Sequence, residues 1–302
     1  MGRILLYGRP APGLIEIPPG AEQVSPLVPG SADLADLEAG EAGSALILAP
    51  PGTQERAYVI AQALRAVKAG GELTVFAPKD KGGSRLRKAL EAFGCEVFED
   101  ARRHHRFCQV ERPETLIGLD AALAAGAPRR LDDTGLWTQP GVFSWDRLDR
   151  GTELLLKTLP DLKGRGADLG AGIGLLALKV LAGEGVSELT LVELDRRAVR
   201  AAEHNLDDPR VKVVWGDVRQ LEGQLTGLDF VVMNPPFHDG GQEDRALGQA
   251  FIRAAAGMLR KGGVCWLTAN RHLPYEAVLQ ETFRRVDLRA EDGGYKIYEA
   301  QA

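Results

Sequence analysis

Between residues 166 and 300, short runs of aliphatic and β-branched residues alternate with stretches of helical periodicity. Strands are expected at 166–169, 187–194, 211–217, 229–234 and 263–270, with a closing pair near 283–290 and 295–300; helices fill 173–183, 196–206 and 245–260. Such alternation leaves little choice of architecture. Apolar strands joined by helical crossovers form a mostly parallel sheet covered on both faces. Ligands on such a sheet sit at the carboxyl ends of the strands, near the point where strand order reverses.

A shorter version of the same plan occupies the first half. SALILAPPGTQERAYVIAQALRAVKAGGELTVFAP (44–78) runs parallel to LDFVVMNPPFHDGGQEDRALGQAFIRAAAGMLRKGGVCWLTAN (228–270): strand, Pro-Pro, polar stretch, helix, Gly-Gly, strand. CEVFEDARRHHRFCQVER (95–112) likewise matches the hairpin-like tail VDLRAEDGGYKIYEA. Chance likeness between two α/β units is the alternative; a duplicated domain is the reading preferred here. Two differences matter. Ala49 stands opposite Asn234, so the first copy lacks the amide, and Pro51 to Gly70 spans 19 positions where Pro236 to Gly262 spans 26. About 43 residues precede the first Pro-Pro strand, too few for a complete nucleotide-binding half. The expected fold is therefore α/β, with two tandem Rossmann-like domains. A degenerate one spans 1–125 and a complete one, with a mixed seven-stranded sheet, spans 135–302. The linker is expected near 113–142, punctuated by Gly126, Pro128, Gly135, Pro140 and Gly141.

GADLGAGIGLLALKVL (166–181) reads as a strand, a glycine-rich turn and a helix. Gly170, Gly172 and Gly174 allow a tight turn and close approach of a ligand. Such a turn alone is a weak signal. Glu193, twenty-one residues beyond Gly172 at the end of TLVEL, can accept both ribose hydroxyls of an adenosine. Asp217 ends VKVVWGD, placed for an adenine amino group. Asp168, just ahead of the glycines, suits a cationic ligand. It is awkward for the pyrophosphate that a dinucleotide would put on the helix N-terminus. A methionine-derived sulfonium cofactor is favoured over NAD or FAD.

In VVMNPPFHDGG (231–241) a strand runs into Asn234 and two prolines, which stop it for want of an N–H. With a sulfonium over Gly170–Gly174, this strand ends beside the methyl group. An exocyclic amine on a base is a poor nucleophile because its lone pair is delocalised into the ring. The Asn234 oxygen and the Pro235 carbonyl can accept both N–H groups, aim the lone pair and stabilise the charge that develops. Pro236 keeps the turn rigid, and Phe237 offers a face on which a flipped base can stack.

DLGAGIG followed by NPPF resembles the signature of adenosylmethionine-dependent amino-group methyltransferases. FSWDRLDRGTELLLKTLP (143–160), NPPFHDGG (234–241) and ANRHLPYEAVLQETF with KIYEA (269–283, 296–300) more narrowly resemble the RsmC/RlmG group of ribosomal RNA guanine-N2 methyltransferases. NPPF alone is shared with adenine-N6 and glutamine-N5 enzymes. The resemblance implies S-adenosylmethionine as cofactor and S-adenosylhomocysteine as product. It implies Asp168, Gly170, Ala171, Gly172, Gly174, Glu193, Leu194, Asp217, Val218 and Asn234 as cofactor contacts. Asn234, Pro235, Pro236 and Phe237 form the catalytic segment, and Phe237, His238, Arg245 and Arg271 the substrate side, with His272 a further phosphate candidate. Phe143 and Ser144 resemble a segment that closes over the cofactor. No obligatory base is required, since the proton can leave to water. The implied substrate is a guanine of 16S ribosomal RNA. The alternatives are a 23S guanine, a protein glutamine, or a non-catalytic RNA-binding assembly factor. Ribosomal RNA or a ribosomal subunit is the implied partner, and a monomer is expected.

The net charge of −5 argues against a nucleic-acid binder of the polybasic type. A local patch remains: residues 79–112 carry nine Lys and Arg against six acids, with His104 and His105 between. It reads either as a solvated mixed surface or as an RNA contact. Three cysteines without ligand spacing are expected to be reduced thiols, and no metal is expected. MGRILLYGRP is too short an apolar start for a signal peptide, so a cytoplasmic location without membrane attachment is expected.

Overall fold

The computed structural model describes residues 2–221, 223–236, 238–239, 242–243 and 245–302, apart from the side chains of 238, 239, 242, 243 and 245. It divides into two compact units, Met1–Ala127 and Pro128–Ala302.

The first unit contains β1 (Arg3–Tyr7), β2 (Glu22–Gln23), β3 (Ala42–Leu48), α1 (Thr53–Ala66), β4 (Val67–Pro78), α2 (Leu86–Glu91), β5 (Phe98–Arg102), β6 (His105–Glu111) and α3 (Leu119–Gly126). Its six strands pair in the order β2-β1-β3-β4-β6-β5. The stretch expected as a linker is structured. Its LDAALAAG run forms α3, whose small residues approach α1 closely. A Cβ on Gly126 would come 2.2 Å from Tyr58, and Gln54 donates to the Ala125 carbonyl at 2.6 Å.

The second unit opens with a two-strand ladder of β7 (Arg129–Arg130) and β8 (Trp137–Thr138). There follow α4 (Arg150–Thr158), β9 (Gly164–Leu169), α5 (Leu175–Leu181), β10 (Val186–Glu193), α6 (Arg196–Asn205), β11 (Val211–Trp215) and β12 (Leu228–Met233). The chain continues through β13 (His238–Asp239), β14 (Gln242–Glu243), α7 (Arg245–Met258), β15 (Leu259–Asn270), α8 (Tyr275–Thr282), β16 (Arg285–Asp292) and β17 (Tyr295–Gln301). Seven strands pair in the order β11-β10-β9-β12-β15-β17-β16, parallel from β11 to β15, with β17 antiparallel to both its neighbours. The mixed seven-stranded sheet is the one expected. Its middle is dry: Phe230, Val231, Val232 and Met233 are at most 1% exposed, each such apolar side chain stabilising by about 1.5–3 kcal/mol. Gly166 on β9 makes room for the Phe230 ring, which a Cβ there would meet at 2.1 Å.

The two sheets share a plan. By pairing, β2, β1, β3, β4, β6 and β5 take the places of β10, β9, β12, β15, β17 and β16, and no described strand of the first unit stands for β11. Even the bulge recurs: Ala42 pairs Val67 and Ser44 pairs Glu72, as Leu228 pairs Leu259 and Phe230 pairs Val264. This register corrects the sequence alignment by one residue. Ile47 pairs Val75 as Met233 pairs Leu267, so Leu48, rather than Ala49, stands in the place of Asn234. On the neighbouring strand Leu6 pairs Leu46 as Asp168 pairs Val232, so a leucine also replaces Asp168. The Pro-Pro carbonyls of the first unit are taken as well. The buried Arg56 donates Nη1 to Pro51 O at 2.8 Å and to Pro50 O at 3.3 Å. Leu48 packs against an apolar cluster of Leu14, Phe76 and Phe107.

Candidate functional site

The sheet reverses direction of assembly at β9, which has β10 on one side and β12 on the other. Residues at the carboxyl ends of these strands therefore converge. Leu169 pairs both Val192 and Met233, and Glu193 pairs Trp215. Sequence positions near 170, 193, 217 and 234 are thereby drawn to one edge.

The glycine turn follows β9. Gly170, Gly172 and Gly174 have φ of 73°, 55° and 91°, the left-handed region in which an L side chain is strained. Gly170 and Ala171 both donate to Val192 O, at 2.8 and 3.2 Å. An ideal Cβ on Gly170 would lie 3.4 Å from the Phe251 ring, 3.9 Å from Pro236 Cδ and 4.0 Å from Asn234 O. The glycine turn and the Pro-Pro segment are thus neighbours.

Asp168 is fully buried beneath this turn, and neither carboxylate oxygen has a hydrogen-bond partner. Burial, and after it the Glu193 carboxylate, pushes its pKa up to about 8. A shift of that size disfavours the ionised form by on the order of 5 kcal/mol. A buried acid left without a partner is a place for a cation. Glu193 accepts Gly172 N–H and Asp195 N–H through its two oxygens, each at 2.8 Å, so it braces the turn it faces. Burial holds it above the usual carboxylate range.

Asp217 is engaged more fully than its position in sequence suggests. Its carboxylate receives Arg219 N–H at 2.9 Å and the Arg219 guanidinium at 2.6–3.1 Å, as a side-chain cap does. Leu194 offers its carbonyl to the Trp215 indole at 2.8 Å, and Val218 is buried. Arg271 is paired with Glu291, so it is no bare phosphate contact, while His272 is exposed. Phe143 is 60% exposed, and Ser144 beside it has φ 57°. Phe237 lies outside the described residues, as do the side chains of His238 and Arg245.

Asn234 has partners that sequence reasoning missed. Its Nδ2 donates to Thr152 Oγ1 at 2.9 Å and to Asp149 Oδ2 at 3.1 Å. Asp149 is the N-cap of α4 and accepts Thr152 N–H at 2.9 Å through the same oxygen. The D-x-x-T spacing was a readable helix start. Nothing local tied it to a residue 85 positions away.

The Methyltransferase small domain family model matches residues 133–299. The Ribosomal RNA small subunit methyltransferase C of Pseudomonas paraeruginosa is 35% identical over 269 residues, 86% of this chain and 80% of that protein. The protein of the same name from Shewanella loihica is 33% identical over 255 residues, 80% and 72% respectively. Among solved structures, the T. thermophilus 16S rRNA N2 methyltransferase RsmC, in complex with AdoMet and guanosine, superposes with a TM-score of 0.77 at 26% identity. That superposition covers 100% of this chain and 88% of the other.

Proposed function

The chain belongs to the ribosomal RNA small subunit methyltransferase C family, within the methyltransferase small domain class, and on that premise we propose how it works. It transfers the methyl group of S-adenosylmethionine to the exocyclic N2 amine of a guanine in 16S ribosomal RNA. The observation that carries this reading is the packing of Asn234-Pro235-Pro236 against the Gly170 turn, which puts two amine acceptors beside a cofactor cradle.

The cradle fits the cofactor. Asp168 supplies a buried, unpaired carboxyl that a cation would hold ionised, Gly170, Ala171, Gly172 and Gly174 admit a ligand closely, and Glu193 holds the ribose. Leu194, Asp217 and Val218 border the adenine. Asp217 can accept an adenine amino hydrogen only beside its ion pair with Arg219. Once bound, the cofactor supplies an electrophilic methyl on a positively charged sulfur. The chain's own part is to bind and aim the amine. Asn234 Oδ1 and the Pro235 carbonyl accept its two N–H groups, and the second proton carried after transfer leaves to water. Phe237 is assigned the base-stacking role, and His238 and Arg245 substrate contact, on the family resemblance alone. A ribosomal substrate places the activity in the cytoplasm. Among the described residues no helix is long and apolar enough to cross a membrane.

The first unit takes no part in the chemistry in this reading, since leucines replace the acid and the amide; it recognises RNA. Lys79, Arg102, Arg103 and His104 are exposed together, because the Lys79 N–H bonds His104 O at 2.9 Å and ties the loop after β4 to the β5–β6 hairpin tip. Incubation with labelled methyl donor and separate 30S subunits, 50S subunits, naked 16S RNA and release factors tests the proposal. Label is expected in 16S RNA, naked or assembled. Label confined to 50S RNA or to protein overturns it.

A further inference from the structure

We infer that Asp149 and Thr152, at the start of α4, are positioning residues that fix which end of the Asn234 carboxamide faces the substrate. The inference rests on the amine-methylation reading above. An asparagine amide has two ends of similar shape and opposite hydrogen-bonding character. With the oxygen outward it accepts from an amine; turned over, it sets N–H against N–H and repels the nucleophile it should hold. Nothing within the Asn-Pro-Pro segment chooses between the two.

The partners on α4 choose. The Asp149 carboxylate next to the amide is an acceptor when ionised, and its Oδ2 receives Thr152 N–H at 2.9 Å, the Thr152 hydroxyl at 3.3 Å and Asn234 Nδ2 at 3.1 Å. With its hydroxyl hydrogen given to Asp149, Thr152 Oγ1 presents a lone pair to Asn234 Nδ2 at 2.9 Å. Asn234 Nδ2 thus faces two acceptors on α4, and Oδ1 is the other hydrogen-bonding atom of the amide. The reversed amide would set its oxygen against the Asp149 carboxylate and lose that bond, and it could keep Thr152 only by drawing the hydroxyl hydrogen away from Asp149.

The device is rigid because it doubles as a helix cap. Asp149 has the extended backbone of an N-cap (φ −66°, ψ 137°), so the carboxylate that holds the amide is itself held by the first turn. Gly151 lets that turn seat against the sheet: a Cβ there would lie 2.7 Å from the Tyr295 ring and 3.0 Å from Thr268 Oγ1. The Asp149 carboxylate acts on Tyr295 too; burial first, then this charge, holds the phenol above its ordinary pKa.

The test uses the full chain with methyl donor and 16S RNA, and reads kcat, KM for RNA and cofactor Kd separately. Thr152→Val keeps the cap, which uses the backbone N–H, but removes the acceptor. It is expected to lower kcat about 10- to 100-fold, the scale of a misaligned reacting group, with cofactor Kd within twofold. Thr152→Ser, which restores the oxygen, is expected to return kcat to within about threefold of the starting protein. Asp149→Ala is expected to lower kcat at least as far as Thr152→Val. If Asp149→Ala does not fold, the two Thr152 variants decide. Thr152→Val with kcat within threefold of the unaltered chain overturns the inference, as does loss of activity accompanied by loss of cofactor binding, or failure of Thr152→Ser to recover it. An unaltered chain that methylates no RNA amine overturns the functional reading instead.

Discussion

Asp168 carries the sharpest consequence at the scale of a single residue. Folded, its carboxyl titrates near 8; in an unfolded chain it titrates near about 4. The free folded protein therefore holds a proton that the unfolded chain has released, and the Asp168 contribution to stability falls as pH rises from about 4 through about 8. A cationic ligand has the opposite preference, since it favours the ionised form. Cofactor binding at pH 7 is thus expected to expel about one proton from Asp168. Titration calorimetry in buffers of different ionisation enthalpy measures this directly. Asp168→Asn should bind more weakly and lose the release, and an unaltered protein that exchanges no proton would contradict the assignment. The motif residues 168, 170, 172, 193 and 234 were legible because each lies at, or just beyond, the carboxyl end of a strand in a recognisable local pattern. Asp149 and Thr152 were not, because their role is a contact made only when distant segments meet. Nor was the occupation of Asp217 by Arg219, since a D-x-R spacing is equally common on any solvated surface.

Among the elements, α4 matters most, because it links helix capping to chemistry. Replacing Gly151 by alanine forces its first turn off β15 and β17. Denaturant unfolding should then show a loss of about 1–3 kcal/mol, as overpacking gives. Methyl transfer should fall further than cofactor affinity does, since the Asp149 carboxylate moves with the turn. Gly166→Ala on β9, which meets the Phe230 ring, should cost similar stability through the core. Most elements could be read from the sequence, because apolar runs and helical periodicity are local signals. The strand of 263–270 in fact starts at Leu259: Gly262 and Gly263 break its apolar run and lie in a bulge, with Leu259 paired to Leu228 before it and Val264 to Phe230 after it. In the second unit two helices went unmarked, α4 and α8. In α4 a glycine sits in the first turn, and both are only two turns or so long, at nine and eight residues.

For the whole molecule, the two copies of the sheet differ at the matching strand ends. The second unit keeps the acid, the glycine turn and the amide; the first has Leu6, Gly8 and Leu48 at the matching places and an arginine on its Pro-Pro carbonyls. The duplication was visible in sequence, but the one-residue register difference was not, since prolines align by eye and strands align by hydrogen bonds. If the first unit recognises RNA through its exposed cations, Lys79→Gln with Arg102→Gln should raise KM for 16S RNA. The double variant should also shallow the dependence of log affinity on log salt by about 1–2, and leave cofactor Kd unchanged. The account as a whole turns on Asn234 holding a guanine amine. Mass analysis of nucleosides from 16S RNA incubated with deuterated methyl donor is the most direct measurement. The unaltered chain should yield N2-methylguanosine carrying the deuterated methyl. Asn234→Ala should yield at least about a hundredfold less, with cofactor Kd within a few-fold. The deuterated methyl on another nucleoside, or undiminished transfer by Asn234→Ala, would contradict it.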